Sequence, residues 1–592
     1  MNKQKNILIL TLILLFTACS DGFLNVQPQD RYSDAAVWSD QALATAFVND
    51  IYMGLHYGFQ VEMLDSFSDI SMTKRAETLP IVTSDLTESY LSILDPNHWL
   101  SSFENLNWNS LYENVRACNV FFENIENSEL EGPEIERLKG EVHFLRAYNY
   151  YYLMSLFGGV PIIDQPYAPT DDLAVPRGTL EETVNFIVAD LDAAANLLPL
   201  TGDKARATQG AAMTLKSRVL LYAASDLFNS GASWSSGYSN PELVSYTGGD
   251  RTARWRAAQE AAKAVIDLGV YSLHGGTNPA SAEEATENYI NIFLNHSTQE
   301  DIFISYYDNI NRTDWQTPDP GLHYGPNGYH NWGNNTPLQR FVDSYEMIDG
   351  SEFDWNNEEH STAPYENRDP RFYATVLYDG ADWRERPDDV AASDPEGVIQ
   401  TGFFENEDGT YTPGLDTRQS PFEDWNGTYS GYYLRKFIDP SIDHQYERQN
   451  LPWRQMRYAE VLLNYVEASI ELGQEAEARQ YLNMIRQRAG MPDVPATESG
   501  ADLMDRYRNE RKIELAYEQH RFFDIRRWMI APDVLLDARG VDIRYPYGSD
   551  TPTYTVIDIG FMTRDWKDKA YFLPILLDEL NRNDLLIQNP GY

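Results

Sequence analysis

RYAEVLLNYVEASIELGQEAEARQYLNMIRQRAG, from Arg457 to Gly490, is the stretch whose periodicity decides the fold class. Apolar residues recur at Tyr458, Val461/Leu462, Tyr465, Ala468 and Leu472, a three-and-four spacing that gives one helix a single buried stripe. Gly473 stops that helix. The pattern resumes at Ala478, Tyr481/Leu482, Ile485 and Ala489, and Gly490 followed by Pro492 supplies the next stop. The spacing predicts two antiparallel helices in a unit of about 34 residues closed by proline, which matches a tetratricopeptide-type repeat. Such a unit cannot stand alone and has to stack on others.

Working outward, Ser39 or Asp40 can cap a helix reaching about Met53, and Phe103 to Glu126 carries Leu106, Leu111, Val115, Val120 and Phe121 at helical spacings. Pro133 to Phe157 ends in Gly158-Gly159 and Pro161, and its partner starts at Thr179, capped with Glu182, and runs to Leu198. Thr208 to Phe228 and Ala253 to Leu268 make a further pair around a Ser/Gly/Asn-rich loop. These pairs suffice for a stack.

From about Tyr271 to Asn450 the stripe fades into Gly, Pro, Asn, Asp and Trp, with Asp301 to Tyr306 alternating like a strand. Helical periodicity returns at Arg454 and holds to Trp528, with Leu503 to Trp528 read as one helix; Val541 to Tyr592 is again irregular. The predicted class is mainly α, an α-α superhelix of tetratricopeptide-like pairs with a large loop-rich insertion forming the ligand face. The expected organisation is a signal peptide (1–18), a lipid-anchored tether (19–38), a first helical part (39–270), the insertion (271–453), a second helical part (454–530) and an irregular C-terminal segment (531–592).

Lys3 and Lys5, the apolar run Ile7 to Phe16 and then Thr17-Ala18-Cys19 read as a lipoprotein signal peptide, with an ordinary secretory signal as the alternative. Cys19 is the expected lipidation site. With Cys118 as the other cysteine there is no disulfide framework, and no later run of 18 apolar residues offers a second membrane attachment. The formal net charge is −44, from 46 basic and 90 acidic residues, which argues against nucleic acid and against a polyanionic ligand.

Aromatic residues make up 13% of the chain, more than core packing alone needs. Two polar stretches concentrate them: a long excursion, 54–100, with His56, Tyr57, Phe59, Tyr90 and Trp99, and the cluster Tyr306, Tyr307, Trp315, His323, Tyr324, Tyr329 and Trp332. Flat apolar faces among Asn, Asp and Gly suit sugars, which present C–H patches for stacking and hydroxyls for hydrogen bonds. Trp99, Trp315, Tyr324, Trp332, Tyr90 and Tyr307 are the expected ligand contacts; packing against the helices is the competing role for each.

No metal-ligand spacing, nucleophile elbow, Walker loop or dinucleotide fingerprint occurs, so neither catalytic residue, metal nor cofactor is expected. Glu514 and Glu518 stand one turn apart, with Arg511 and Arg521 placed to neutralise them in an ion-pair network. Because glycosidases carry only scattered carboxylates, a secreted glycoside hydrolase is the alternative function.

Taken in order, FLNVQPQDRYSD from Phe23, LRAYNYYYLMSLFGGVPII from Leu145, YEMIDG from Tyr345, NRDPRF from Asn367, GYYLRKFIDP from Gly431, NERKIELAYEQHRFFDIRRW from Asn509 and the terminal QNPGY accompany the opening stretch and Cys19. Over nearly its whole length the chain resembles the SusD/RagB outer-membrane lipoproteins. The resemblance implies a helical body, a loop-rich ligand face at about 56–100 and 305–335, and no catalysis. It further implies a lid over a TonB-dependent (SusC-like) transporter that captures oligosaccharides, or in some members peptides, at the outer membrane facing the cell exterior.

Overall fold

The computed structural model describes residues 34–95, 103–168, 170–171, 174–306 and 319–592. Cys19 and the residues read as a signal peptide lie outside them. Helices α1 (Gln41–Met53), α2 (Trp108–Glu126), α3 (Pro133–Phe157), α4 (Leu180–Leu197), α5 (Gln209–Ala224) and α6 (Arg251–Asp267) precede the insertion; α7 (Ala282–Leu294) lies within it. After it come α8 (Tyr458–Glu471), α9 (Glu475–Arg488), α10 (Ala501–Glu514) and α11 (His520–Arg527).

The caps lie where the sequence put them. The Asp40 carboxylate accepts from Ala42 N at 2.7 Å, and Thr179 and Glu182 form a reciprocal capping box. From α2 to α6 each helix packs on the next, and α8 then packs on α6, so the array continues across the insertion. The α8/α9 hairpin turns at Leu472-Gly473-Gln474, with Gly473 at φ +72°. A single buried stripe underestimates α8, which is buried on every side from Tyr458 to Ile470 because α5, α6, α9 and α10 surround it.

The ends of the insertion are joined as a sheet. Strand β1 (Asp301–Ser305) pairs antiparallel with β4 (Trp453–Arg457), Asp301 opposite Arg457. Helical structure therefore returns at Tyr458, four residues after Arg454. Two further expectations are corrected. α7 is a full helix capped by Ser281, its buried stripe Ala285, Tyr289, Ile292 and Phe293 lying within a region read as non-helical. The C-terminal segment is not irregular throughout: β5 (Arg539–Tyr545) and β6 (Thr553–Asp558) form a hairpin. It extends a four-stranded sheet with β2 (Phe403–Glu405) and β3 (Tyr411–Pro413), in the order β6-β5-β2-β3. In β5 Val541, Ile543 and Tyr545 do alternate with Asp542 and Arg544, but the run is short, and β2 and β3 span three residues each, too few for a period to show.

Two large cores result. One fills the helical array; the other lies under the insertion and gathers Tyr57, Phe59, Tyr289, Phe293, Tyr324, Phe341, Phe372, Tyr432 and Trp453. The start of the excursion is thus core, not ligand face.

Buried ion pairs join the two parts. Arg457 binds Glu300 (2.5 Å), Glu514 (2.7 Å) and Glu518 (2.6 Å); Arg371 binds Asp369 (2.7 Å), Glu510 (2.5 Å) and Glu514 (3.1 Å). Arg488 bridges Glu300 and Glu514, Arg486 binds Glu346 and Glu510, and Lys436 binds Glu518 at 2.9 Å. Burial works to raise the Glu514 carboxyl, but Arg488, Arg457 and Arg371 outweigh it and hold the group far below the carboxylate range. The network expected around Glu514 and Glu518 exists with different partners, since Arg511 pairs with Asp524 and Arg521 with Asp69.

Candidate functional site

The excursion and the insertion meet at a cleft of about 580 Å³. Lys74 to Glu77 contribute from the excursion, Trp332 and Asn334 from one insertion loop, and Arg418, Trp425, Asn426 and Tyr429 from another.

Local pairing brings these three segments together. Ser71-Met72 pairs antiparallel with Thr336-Pro337, which sets residues 74–77 beside the turn at 332–335. Asn335, at φ +54°, pins that turn: its side-chain oxygen accepts from Met63 N (2.9 Å) and the Ser66 hydroxyl (2.7 Å), and its amide donates to Val61 O (2.8 Å). Gly333 sits at φ +53°, and a Cβ there would come within 2.3 Å of the Asn426 carbonyl. Only glycine allows the two insertion loops so close an approach. Lys74 fastens them, its ammonium donating to Trp332 O (2.5 Å), Asn426 Oδ1 (2.6 Å) and Trp425 O (3.3 Å).

The cleft offers aromatic faces, amides and charge. Trp425 is 64% exposed; Trp332 is half-buried, with His323 on one side at 5.1 Å between ring centroids. Tyr429 carries the Arg418 guanidinium 3.8 Å from its ring centroid. Asn334 is buried, and neither end of its amide has a hydrogen-bond partner among the described residues. Arg75 is neutralised by Glu62 at 2.5 Å. Burial foremost, then the charges of Arg75 and Arg418, pull the Lys74 ammonium down to about 7 against the opposing pull of Glu62 and Glu423. Glu77 is the one carboxylate lining the cleft among the described residues, and these hold no group of three or more metal-ligating side chains.

Of the aromatics expected to meet a ligand, Trp332 lines this cleft, while Trp99, Trp315 and Tyr307 lie outside the described residues. Tyr324 has no exposed surface: its ring belongs to the second core and its hydroxyl donates to Gln60 O at 2.6 Å, so it offers a ligand no face. Tyr90 is 48% exposed in a tight turn with Thr87 but does not line the cleft. Trp425 was missed. Its segment, FEDWNGTY from Phe422, has the same mix of aromatics with Asp, Asn and Gly that singled out 306–332.

Comparison with known proteins gives this architecture a family. Residues 294–592 match the profile described as SusD family, and residues 23–221 one described as "Starch-binding associating with outer membrane". A crystal structure of a SusD-like protein from Bacteroides fragilis superposes with a TM-score of 0.74 at 30% identity, covering 96% of this chain and 100% of that one. A second Bacteroides fragilis structure, titled a SusD-like carbohydrate binding protein, gives a TM-score of 0.67 at 23% identity over 93% of this chain and all of the other. The SusD-like protein P38 of Formosa agariphila is 22% identical over 580 residues, 91% of this chain and 95% of its own. The chain belongs to the SusD family.

Proposed function

We propose that this protein is a non-catalytic, cell-surface glycan receptor that holds an oligosaccharide in the cleft of Trp332 and Trp425 and delivers it to a TonB-dependent outer-membrane transporter. The observation that carries the proposal is the exposed Trp425 ring in a cleft with Trp332, both loops clamped by one lysine. Indole faces fixed in advance stack on the C–H faces of sugars without an ordering cost, while the amides of Asn334 and Asn426 serve hydroxyl groups. The family description and the printed title of the Bacteroides fragilis relative support a carbohydrate ligand. Against hydrolysis stand Glu77 as the one carboxylate lining the cleft among the described residues and the burial of Glu514 and Glu518 in ion pairs, because glycosidases work with two carboxylates flanking the bond. A lipid at Cys19 completes the proposal.

Glycan titration of Trp332→Ala and Trp425→Ala tests it. By analogy with stacked nucleobases, each lost ring should cost about 1–3 kcal/mol of binding. Melting temperature should hold. Unchanged affinity in both variants, or sustained release of reducing ends by the wild type, would overturn the proposal.

A further inference from the structure

We propose that the cleft selects acidic oligosaccharides, glycans whose carboxylate or sulfate ester is received by the Arg418 guanidinium beside the tryptophan faces. The inference rests on the glycan-binding reading above and adds the ligand's charge. Acidic residues outnumber basic ones about two to one along the chain, yet the cleft is lined by Lys74, Arg75 and Arg418 against Glu77 alone among the described residues.

These cations are not equivalent. Arg75 is neutralised by Glu62. Lys74 has its three N–H groups committed to Trp332, Trp425 and Asn426, so it contributes charge but no free donor. Arg418 has no carboxylate partner among the described residues; its Nη1 makes only long contacts, 3.4 Å each, to Trp425 O and Gly427 O. Buried arginines elsewhere in this protein have carboxylate partners, as at Arg371, Arg386, Arg457, Arg486, Arg511 and Arg527, or spend their donors on backbone carbonyls at close range, as Arg177 and Arg368 do at 2.6–2.8 Å; among the described residues, partly buried Arg418 has neither. Stacking on Tyr429 fixes the Arg418 plane and leaves N–H groups for a bidentate oxyanion.

The state of Lys74 agrees. Burial, Arg75 and Arg418 all push it toward neutrality more strongly than Glu62 and Glu423 hold it charged, the condition an incoming anion relieves. The net charge of −44 still repels dense polyanions at a distance. That repulsion is screened beyond about 8 Å at physiological ionic strength, so a short glycan with isolated acidic residues meets mainly the local field. The sequence-level objection to polyanions thus does not extend to such a ligand.

The test is an array of neutral glycans with their uronate-bearing and sulfated counterparts on the same backbones, probed with the full chain and followed by calorimetry on the best pair. Acidic members should bind about tenfold more tightly than their neutral partners. The uronate and sulfate arms identify which anion is read. R418Q should cost acidic members more affinity than their neutral partners and so abolish that preference, and R418K should restore part of it. Preference for neutral members, or equal loss of both classes in R418Q, overturns the acidic inference and leaves the glycan reading standing. Binding to no glycan overturns both. Should R418Q lower the melting temperature, salt decides: wild-type binding to the acidic member must weaken with added NaCl, and indifference to salt overturns the inference.

Discussion

Replacing Glu467 with Gln probes how the last helices are held to the array. Glu467 lies on α8 with its carboxylate buried, accepting from both terminal nitrogens of Arg527 (2.6 and 2.7 Å), from Trp528 Nε1 (2.7 Å) and from the Tyr507 hydroxyl (2.6 Å). It thereby ties α10 and α11 to α8. Burial acts to raise this carboxyl, but Arg527, Arg511 and the hydrogen bonds outweigh it and bring it down to about 2. An unfolded glutamate titrates near 4.3, so the difference corresponds to about 3 kcal/mol of folding stability. Because the folded value is the lower one, that contribution is complete above about pH 4.3 and is lost as pH falls toward 2. E467Q removes the charge and turns an amide NH2 toward two of the four donors, and Arg527 keeps Asp524 at 2.8 Å as its carboxylate partner, with the Ser225 hydroxyl at 2.9 Å. The variant should lose about 3 kcal/mol at pH near 7, within reach of the cost of breaking a buried pair, and noticeably less at about pH 3.5. Urea unfolding followed by tryptophan fluorescence at both pH values measures this. A loss below about 1 kcal/mol at neutral pH, or an equal loss at both, would refute the linkage argument.

Arg371→Leu leaves Glu510 and Asp369 buried without their shared partner and should cost about 3–5 kcal/mol in the same assay, loosening the insertion first; limited proteolysis should show cuts between 320 and 450 before any in the helices. Gly333→Ala, forced against Asn426 O, should weaken glycan binding by parting the two tryptophan loops while the melting temperature stays near wild type; unaltered affinity removes the case for the close approach. Cys19→Ser should release the protein from detergent-extracted membranes, and partition equal to wild type would exclude Cys19 as the anchor. Mild-detergent purification from the native host should recover a much larger barrel partner; repeated isolation of the protein alone would count against delivery to a transporter.

The helices were legible because each signals locally: the α8/α9 stripe, the Thr179 box and the glycine stops need only a few neighbouring residues. Leu503 to Trp528 shows where local signals end. Nothing in Leu515-Ala516-Tyr517-Glu518-Gln519 disfavours a helix, yet α10 stops at Glu514 and Tyr517 and Gln519 take φ of +61° and +65°. The carbonyls at the break are claimed from outside: Tyr289 and Arg457 donate to Glu514 O, and Lys436 to Ala516 O. These donors come from α7, the end of β4 and the GYYLRKFIDP segment, far away in sequence. The segments that carry the family resemblance, YEMIDG, NRDPRF, GYYLRKFIDP and NERKIELAYE, supply Glu346, Arg371, Lys436 and Glu510/Glu514/Glu518 to the same buried network. They identify the scaffold and carry little about the ligand. The cleft obeys a different logic: whether an aromatic ring among polar loop residues is core, as Tyr324 is, or platform, as Trp425 is, depends on which distant loop lies over it. Composition marks both loops equally. Exposure is decided by Lys74, Gly333 and Asn335, whose roles exist only once the excursion has met the insertion.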